Sequence, residues 1–156
     1  MISILLPIHK PHVDNIRSGR KTEEIRRKAP SCDPPFKCFV YETQKHGGAG
    51  KITGEFICKK VNSYAPDFLS LSRDVRADLV CQLLDRSCLS YNDLRAYVQN
   101  ERFRGLAISD VKFYDKPKKL SDFSKIGFDK VTPLRYPPQT WCYVYEIPKE
   151  ESEDTE

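Results

Sequence analysis

The segment Ile16–Lys28, with the sequence IRSGRKTEEIRRK, holds most of the functional information in this chain. Its only acidic residues are Glu23 and Glu24. Its basic residues are Arg17, Arg20, Lys21, Arg26, Arg27 and Lys28. A run of charges is usually a solvated face, and a glycine followed by Lys and Arg is also typical of a helix end. The ordered pattern Gly19-x-Lys21-x-x-Glu24-x-Arg26 is more specific than charge alone, so we interpret this segment as an anion-binding surface.

The residue types in this pattern differ in what they can bind. Lys21 is a point cation, whereas the planar guanidinium of Arg26 suits bidentate binding of phosphate or carboxylate. Glu24 and Arg26 are two residues apart, so on an extended segment they project to the same side. They form either a structural ion pair that orients the loop or a functional pair in a cleft. Arg17, one helical turn before Lys21, is expected to enlarge the basic opening.

Hydrophobic periodicity predicts a strand–helix–strand order for the first part of the chain. A buried strand is expected over Ser3–Ile8 and a short helix over Pro11–Ser18, closed by Gly19 in a left-handed conformation. An extended segment, Thr22–Arg27, follows this helix. The next two strands, Phe36–Thr43 and Lys51–Val61, form a hairpin-like pair, and Gly54 inside the second predicts a bulge or a tight bend.

The middle of the chain changes to helical spacing and then returns to strands. Apolar residues between Leu69 and Leu84 recur at helical intervals, and Ser90 with Asp93 indicates the capped start of a second helix. Strands are then predicted over Leu106–Tyr114 and Trp141–Ile147, separated by the loop-rich segment Lys116–Pro138. Strands, two helices and strands in that order predict an α+β fold and exclude repeated βαβ units.

Composition narrows the protein class. A chain of 156 residues with 31% charged residues is typical of one globular domain. Six cysteines without a C-x-x-C pair predict no metal site, and the lack of a long apolar run predicts a cytoplasmic protein without a signal peptide or membrane span. The residues before Lys149 carry a net charge of +8, because the end KEESEDTE contributes one positive and five negative charges to the total of +4. We expect a domain over residues 1–147 and an acidic, disordered tail over 148–156.

The pattern G-x-K-x-x-E-x-R at Gly19–Arg26 resembles the signature of the ASCH domain, a PUA-like family. Other segments resemble the family in the same order: ILLPIHKPHVDNIRSGRKTEEIRR, FVYETQ with GKITGEF, GLAISDVKFYDKPKKLSDF and PPQTWCYV. The resemblance covers nearly all of the chain except the tail. It implies a mixed β-barrel with a short helix after the first strand and a two-helix insertion part-way along the chain.

The resemblance also implies a function. PUA-like domains commonly bind RNA, so the expected ligand is RNA or a modified nucleotide, without a cofactor, in a basic cleft. The residues expected to bind it are Arg17, Gly19, Lys21, Arg26 and Arg27. Two hydrolase alternatives stay open, an amidohydrolase acting on N-acylated cytidine and a ribonuclease, with Lys21 and Glu24 as the catalytic pair. The amidohydrolases of the family carry threonine where this chain has Glu24. A protein-interaction module is a third class.

Overall fold

Seven strands and three α-helices make up the part of the chain that the computed structural model describes, residues 1–70, 75–127 and 129–149. The strands are β1 (Ser3–Ile8), β2 (Glu23–Arg26), β3 (Phe36–Glu42), β4 (Lys51–Tyr64), β5 (Phe103–Lys118), β6 (Phe123–Lys125) and β7 (Cys142–Glu146). The helices are α1 (Lys10–Arg17), α2 (Val75–Ser87) and α3 (Tyr91–Val98). Single 3₁₀ turns lie at Lys45–Gly47 and Leu120–Asp122. The predicted element order is confirmed except for β6, which lies in the segment predicted as loop-rich.

The strands form one mixed sheet in the order β2-β5-β4-β3-β1-β7-β6. Only the β1–β3 pair is parallel among the described strands; the other pairs are antiparallel. The α+β class is therefore confirmed. In the described residues β2 and β6 are the ends of the sheet and do not pair with each other, so the predicted barrel is open.

Helix α1 and the turn after it position the motif. Pro11 lies in the first turn, where its missing N–H has no cost, and the helix buries Val13 and Ile16 against the sheet. Gly19 has a φ of +82°, the left-handed conformation predicted for it. The backbone N–H of Lys21 then donates to the Asn15 carbonyl over 3.0 Å. This turn places Lys21 immediately before β2.

Helices α2 and α3 are inserted between β4 and β5, as predicted. The hydroxyl of Ser90 accepts a hydrogen bond from the Asp93 N–H over 3.1 Å, which confirms the predicted capped start of α3. Helix α2 is described from Val75, and the earlier part of the predicted helical spacing, including Leu71, lies outside the described residues. The two helices share an apolar cluster with the sheet that includes Leu83, Leu94 and Phe103.

The long β4–β5 pair is irregular where glycine allows it. The register of β4 against both neighbours shifts around Gly54, so the predicted bulge is confirmed. A Cβ at Gly54 would lie 2.6 Å from the Lys112 carbonyl, which explains why glycine is needed there. Strand β5 extends well beyond the predicted Leu106–Tyr114 at both ends, because its pairing with β4 continues past the alternating residues.

Near the end of the chain, one element differs from the prediction, and the predicted tail lies outside the described residues. Strand β6 lies in the segment expected to be a loop; it has three residues and depends on pairing with β7, which local sequence does not reveal. Trp141 and Tyr143 pack against the cluster around α1, while Val144 is buried in a separate cluster. The predicted acidic tail stays a prediction, because residues 150–156 lie outside the described residues.

Within the described ranges, no helix combines the length and the apolar character needed to cross a membrane. All six cysteines are free thiols. Burial raises the pKa of the Cys58 thiol to about 11, so this thiol stays protonated at neutral pH.

Candidate functional site

The three charged side chains of the motif meet below the protein surface and form what we call the buried triad, Lys21, Glu24 and Arg26. The ammonium of Lys21 lies 3.3 Å from Glu24 Oε1, and Arg26 Nε donates to Glu24 Oε2 over 2.8 Å. The side chains of Lys21, Glu24 and Arg26 are 1%, 9% and 12% exposed. One carboxylate therefore pairs with two cations, and the triad carries a net charge of +1.

Arg26 is held by backbone carbonyls from distant parts of the chain. Its Nη2 donates to the Pro7 carbonyl over 2.6 Å and also lies 2.8 Å from Glu24 Oε2, while Nη1 donates to the Thr140 carbonyl over 3.0 Å. A guanidinium has five N–H groups, so one on Nη1 is left for a ligand. The expectation of a bidentate phosphate clamp does not fit this geometry, because the fork of Arg26 already faces protein oxygens.

Lys21 and Glu24 retain hydrogen-bonding capacity. Lys21 Nζ donates to the Ser87 carbonyl over 2.7 Å and pairs with Glu24, which leaves one of its three N–H groups. Among the described residues, Glu24 Oε1 faces only the ammonium, so it has a lone pair for a further donor. A donor and an acceptor thus lie next to each other, 3.3 Å apart.

Glu24 is a charged group in an almost fully buried position. Burial alone would raise the pKa of its carboxyl, but the charges of Lys21 and Arg26 and their hydrogen bonds outweigh burial and lower it. Glu24 is therefore ionised at neutral pH and acts as a hydrogen-bond acceptor only.

A cavity of about 620 Å³ lies over the triad. The chain segments that line it come from β1, α1, β2, the end of β3, α3 and the loop before β7. The lining residues are Pro7, Ile8, His9, His12, Lys21, Glu24, Ile25, Arg26, Arg27, Thr43, Leu89, Asp93, Tyr97, Pro137, Pro138, Gln139 and Thr140. This volume is in the usual range for a small-molecule site and admits one nucleotide but no duplex.

Two histidines and a threonine form one side of this cavity. His9 Nδ1 and Thr43 Oγ1 are 2.7 Å apart. Burial, followed by the nearby charge of Lys45, lowers the pKa of His9. Burial and the charge of Lys21 likewise lower the pKa of His12, whose Nδ1 is buried without a hydrogen-bond partner among the described residues. Both imidazoles are neutral at pH 7 as a result.

The cavity opening carries an exposed cation and an aromatic ring. The Arg27 side chain is 44% exposed, and its guanidinium carbon lies 5.4 Å from the centre of the Tyr97 ring. Tyr97, on α3, is 40% exposed. Arg27 also lies 3.9 Å from a carboxylate oxygen of Glu101, a long and solvent-exposed contact that leaves its donors largely available.

Arg17 and Gly19, which were expected to bind the ligand, do not line this cavity. The Arg17 guanidinium lies over the Phe113 ring, 4.1 Å from its centre, and therefore packs on β5. Gly19 acts through its backbone conformation, as described above. Lys21, Glu24, Arg26 and Arg27 are the sequence-predicted site residues that the structure brings together at the cavity.

Glu23 faces the opposite side of β2 from Glu24. Its carboxylate accepts hydrogen bonds from the Tyr64 hydroxyl over 2.5 Å and from Arg86 Nε over 2.8 Å. A Cβ at Gly105, on the neighbouring strand, would lie 1.7 Å from Glu23 Oε2. The two adjacent glutamates thus hold β2 from both sides, and Gly105 leaves the space that Glu23 requires.

Sequence reasoning missed several site residues, including Thr43, Tyr97 and the carbonyls of Ser87 and Thr140. Their contacts join residues up to 114 positions apart, so no local pattern identifies them. The dipeptide Pro137–Pro138 was interpreted as loop only, although it borders the cavity.

Comparison with known proteins gives one consistent fold. No family model matches the chain, and no curated protein matches it by sequence. Among solved structures, the crystal structure of ASCH from Zymomonas mobilis matches with a TM-score of 0.67 and 17% identity over 92% of this chain and 87% of that one. Two single-substitution mutants of the Zymomonas mobilis protein match with TM-scores of 0.67 and 16% identity, over 92% of this chain and 90% or 88% of theirs. These matches confirm the fold that the Gly19–Arg26 motif predicts, and the chain has the fold of the ASCH domain proteins.

Proposed function

We propose that this protein is an ASCH-type RNA-binding protein that takes one unstacked base of single-stranded RNA into the cavity over the buried triad. The observation that carries the proposal is the triad itself: three charged side chains, nearly excluded from solvent, lie at the bottom of a cavity of nucleotide size. Burying charged side chains costs free energy. A buried charged group at the bottom of a cavity is therefore a strong candidate for ligand recognition.

The free valences of the triad suit a base with an exocyclic amine. Glu24 Oε1 can accept from the amine, as carboxylates do with the N4 amine of cytosine, while the remaining N–H of Lys21 donates to the neighbouring ring nitrogen. Because the partners Ser87 and Arg26 hold both groups in place, little conformational entropy is lost on binding. Cytosine presents a donor beside an acceptor in this way, and adenine does so as well.

At the opening of the cavity, Arg27 binds the nucleotide's phosphate. It lies at the opening, is largely free, and offers a planar donor group. Tyr97 provides an exposed ring next to it for stacking.

The proposal is tested with a fluorescently labelled eight-nucleotide RNA that contains a single cytosine in a uridine background. Its affinity is compared with that of the same RNA in which the cytosine lacks the exocyclic amine. We expect the missing amine to weaken binding by about 1–3 kcal/mol, because Glu24 then faces no donor. Equal affinity for the two RNAs contradicts the proposed base contact.

Arg27→Ala and Lys28→Ala form a matched pair for the phosphate contact. Both residues are exposed and adjacent in the chain, but only Arg27 lines the cavity. Arg27→Ala should weaken RNA binding and lower the slope of log affinity against log salt by about 0.7, the value for one phosphate contact on a single strand. Lys28→Ala should change both much less. A larger loss of affinity in Lys28→Ala than in Arg27→Ala would show that the phosphate does not bind at Arg27.

A second candidate, hydrolysis of an N-acylated cytidine, is favoured by the hydrogen-bonded pair Thr43–His9 on the cavity side. Neutral His9 can accept the hydroxyl proton while Thr43 Oγ1 attacks the acyl carbon; the bond from that carbon to the N4 nitrogen then breaks, the amine of cytidine leaves with the proton from His9, and water hydrolyses the acyl-threonine ester. Lys21 would stabilise the negative oxygen that forms.

Incubation of the protein with N4-acetylcytidine separates the two candidates. Release of acetate that is lost in Thr43→Val and retained in Thr43→Ser would make the protein an amidohydrolase. Binding of the RNA with no release of acetate supports the binding protein.

A further inference from the structure

We propose that a second surface, formed by the described residues of 125–127 and 129–138, binds the nucleotides that flank the base held in the cavity. This surface consists of the exposed side chains of Lys125, Lys130, Arg135 and Tyr136, and we call it the flanking surface. The inference rests on the proposed function, since it extends the ligand from one nucleotide to a short single strand.

The flanking surface has the chemistry that a single strand requires. It borders a cavity of about 810 Å³, and no carboxylate side chain among the described residues lines that cavity. Lys125, Lys130 and Arg135 form no ion pair with a described residue, so their charges are available for phosphates. Tyr136 is 81% exposed, more than any other large apolar or aromatic side chain in the described residues. Exposed aromatic rings among cations are the usual platform for unpaired bases.

The flanking surface is continuous with the cavity over the triad. Pro137 and Pro138 line both cavities, and Tyr136 directly precedes them in the chain. Thr140, two residues further on, accepts a hydrogen bond at its carbonyl from Arg26 of the triad. An RNA strand that places one base in the cavity over the triad therefore reaches Tyr136 after passing only these two prolines.

The segment is anchored to the sheet, although most of it has no regular secondary structure. The Thr132 N–H donates to Ser124 Oγ over 2.8 Å, and the Leu134 N–H donates to the Phe123 carbonyl over 2.9 Å. Leu134 is 3% exposed and belongs to an apolar cluster with Phe123. Arg135 and Tyr136 follow this buried anchor directly, so they are presented from a fixed position and lose less freedom on binding.

The test compares two ligands, cytidine monophosphate and the eight-nucleotide RNA, by fluorescence anisotropy and calorimetry. We expect Lys130→Ala/Arg135→Ala to weaken octamer binding at least tenfold and to lower the log–log salt slope by about 1.4, the value for two phosphate contacts. Tyr136→Ala should weaken octamer binding about 5- to 100-fold, and Tyr136→Phe should restore it, because stacking needs only the ring. The affinity for cytidine monophosphate should not change in any of these variants.

Lys60→Ala is the matched control, because Lys60 is an exposed lysine on β4 that lines neither cavity. The inference is overturned if octamer binding falls equally in this control and in the double variant, or if Tyr136→Ala leaves it unchanged. Failure of the proposed function has a different signature: cytidine monophosphate then does not bind, while the octamer still depends on Tyr136.

Discussion

Glu24 determines the properties of the candidate site at the scale of single residues. Two cations share its carboxylate, and each of them is also fixed by a backbone carbonyl. Removing one partner of such a group leaves an uncompensated buried charge, which costs more than the pair contributes. The triad therefore contributes to the stability of the fold, in addition to its proposed role in recognising a base.

Replacement of Glu24 tests this dependency. Glu24→Gln leaves Lys21 and Arg26 facing a neutral amide, so we expect the free energy of unfolding to fall by about 3–5 kcal/mol in urea denaturation. Asp14→Asn is the matched control, because Asp14 pairs with Lys10 over 2.8 Å but both side chains are 40% or more exposed. Its effect should be at most about 1 kcal/mol. Similar losses in the two variants would mean that burial of the triad has no energetic role.

Because the pKa of Glu24 is lowered in the folded protein, the stability contributed by the triad depends on pH. Because the folded pKa lies below the unfolded one, the contribution is complete above the unfolded pKa of about 4.3 and is lost as pH falls through the folded pKa. The wild-type protein should lose stability on acidification below this value, and Glu24→Gln should lack that component. A parallel pH dependence in both proteins contradicts the assignment.

His12 and His9 predict a second pH effect at higher pH. Their folded pKa values are lowered, so the unfolded chain takes up protons first, near pH 6.5, and stability falls as pH decreases below about 7. Each unit of difference between the folded and unfolded pKa of a histidine changes the free energy of unfolding by about 1.4 kcal/mol. The double variant His9→Gln/His12→Gln should be less sensitive to pH between 7.5 and 5.5 in thermal denaturation. An unchanged sensitivity would assign the effect to other groups.

Strand β2 is the element that joins the site to the fold. Glu24 and Arg26 face the cavity, whereas Glu23 faces Tyr64 and Arg86 on the other side. A backbone hydrogen bond of 2.8 Å from Thr22 to the Arg86 carbonyl adds a link to α2. A four-residue strand at the edge of a sheet has little stability alone, so these polar contacts hold the triad in position.

Substitutions at two glycines distinguish the stability that the Glu23 contacts give to β2 from the cost of an unfavourable backbone conformation. Gly105→Ala places a methyl group on Glu23, and we expect a loss of about 2–4 kcal/mol from overpacking and broken buried hydrogen bonds. Gly19→Ala meets open space and costs only the left-handed backbone conformation, about 1–2 kcal/mol. Urea denaturation of both variants gives the comparison. A larger loss at Gly19 would show that the Glu23 contacts are dispensable.

Charge distribution matters at the scale of the whole molecule. The residues before Lys149 carry +8, and the last eight residues lower the total to +4. Replacing residues 149–156 with a neutral Gly/Ser segment of equal length should increase the rate of association with RNA several-fold at low salt. The reason is that a protein with a higher net positive charge attracts the negatively charged RNA more strongly. The difference should disappear near about 0.5 M salt, where charges are screened within a few ångströms. Equal rates at low salt would exclude a shielding role for the acidic end.

The sequence alone determined the order of the strands and helices other than β6, the capped start of α3, the glycine turn before the motif and the bulge at Gly54, because each depends on neighbouring residues. It also identified Lys21, Glu24 and Arg26 as a group from the Gly19–Arg26 motif, and Glu24 with Arg26 as neighbours because alternate residues of an extended segment project together. Only the tertiary structure decided how the triad is bonded, that the sheet stays open, and that Arg17 packs on Phe113 away from the cavity. The carbonyls of Pro7, Ser87 and Thr140 hold the triad from 19, 66 and 114 residues away. Contacts of this kind are set by the pairing of distant strands, which leaves no periodic signal in the residues that make them.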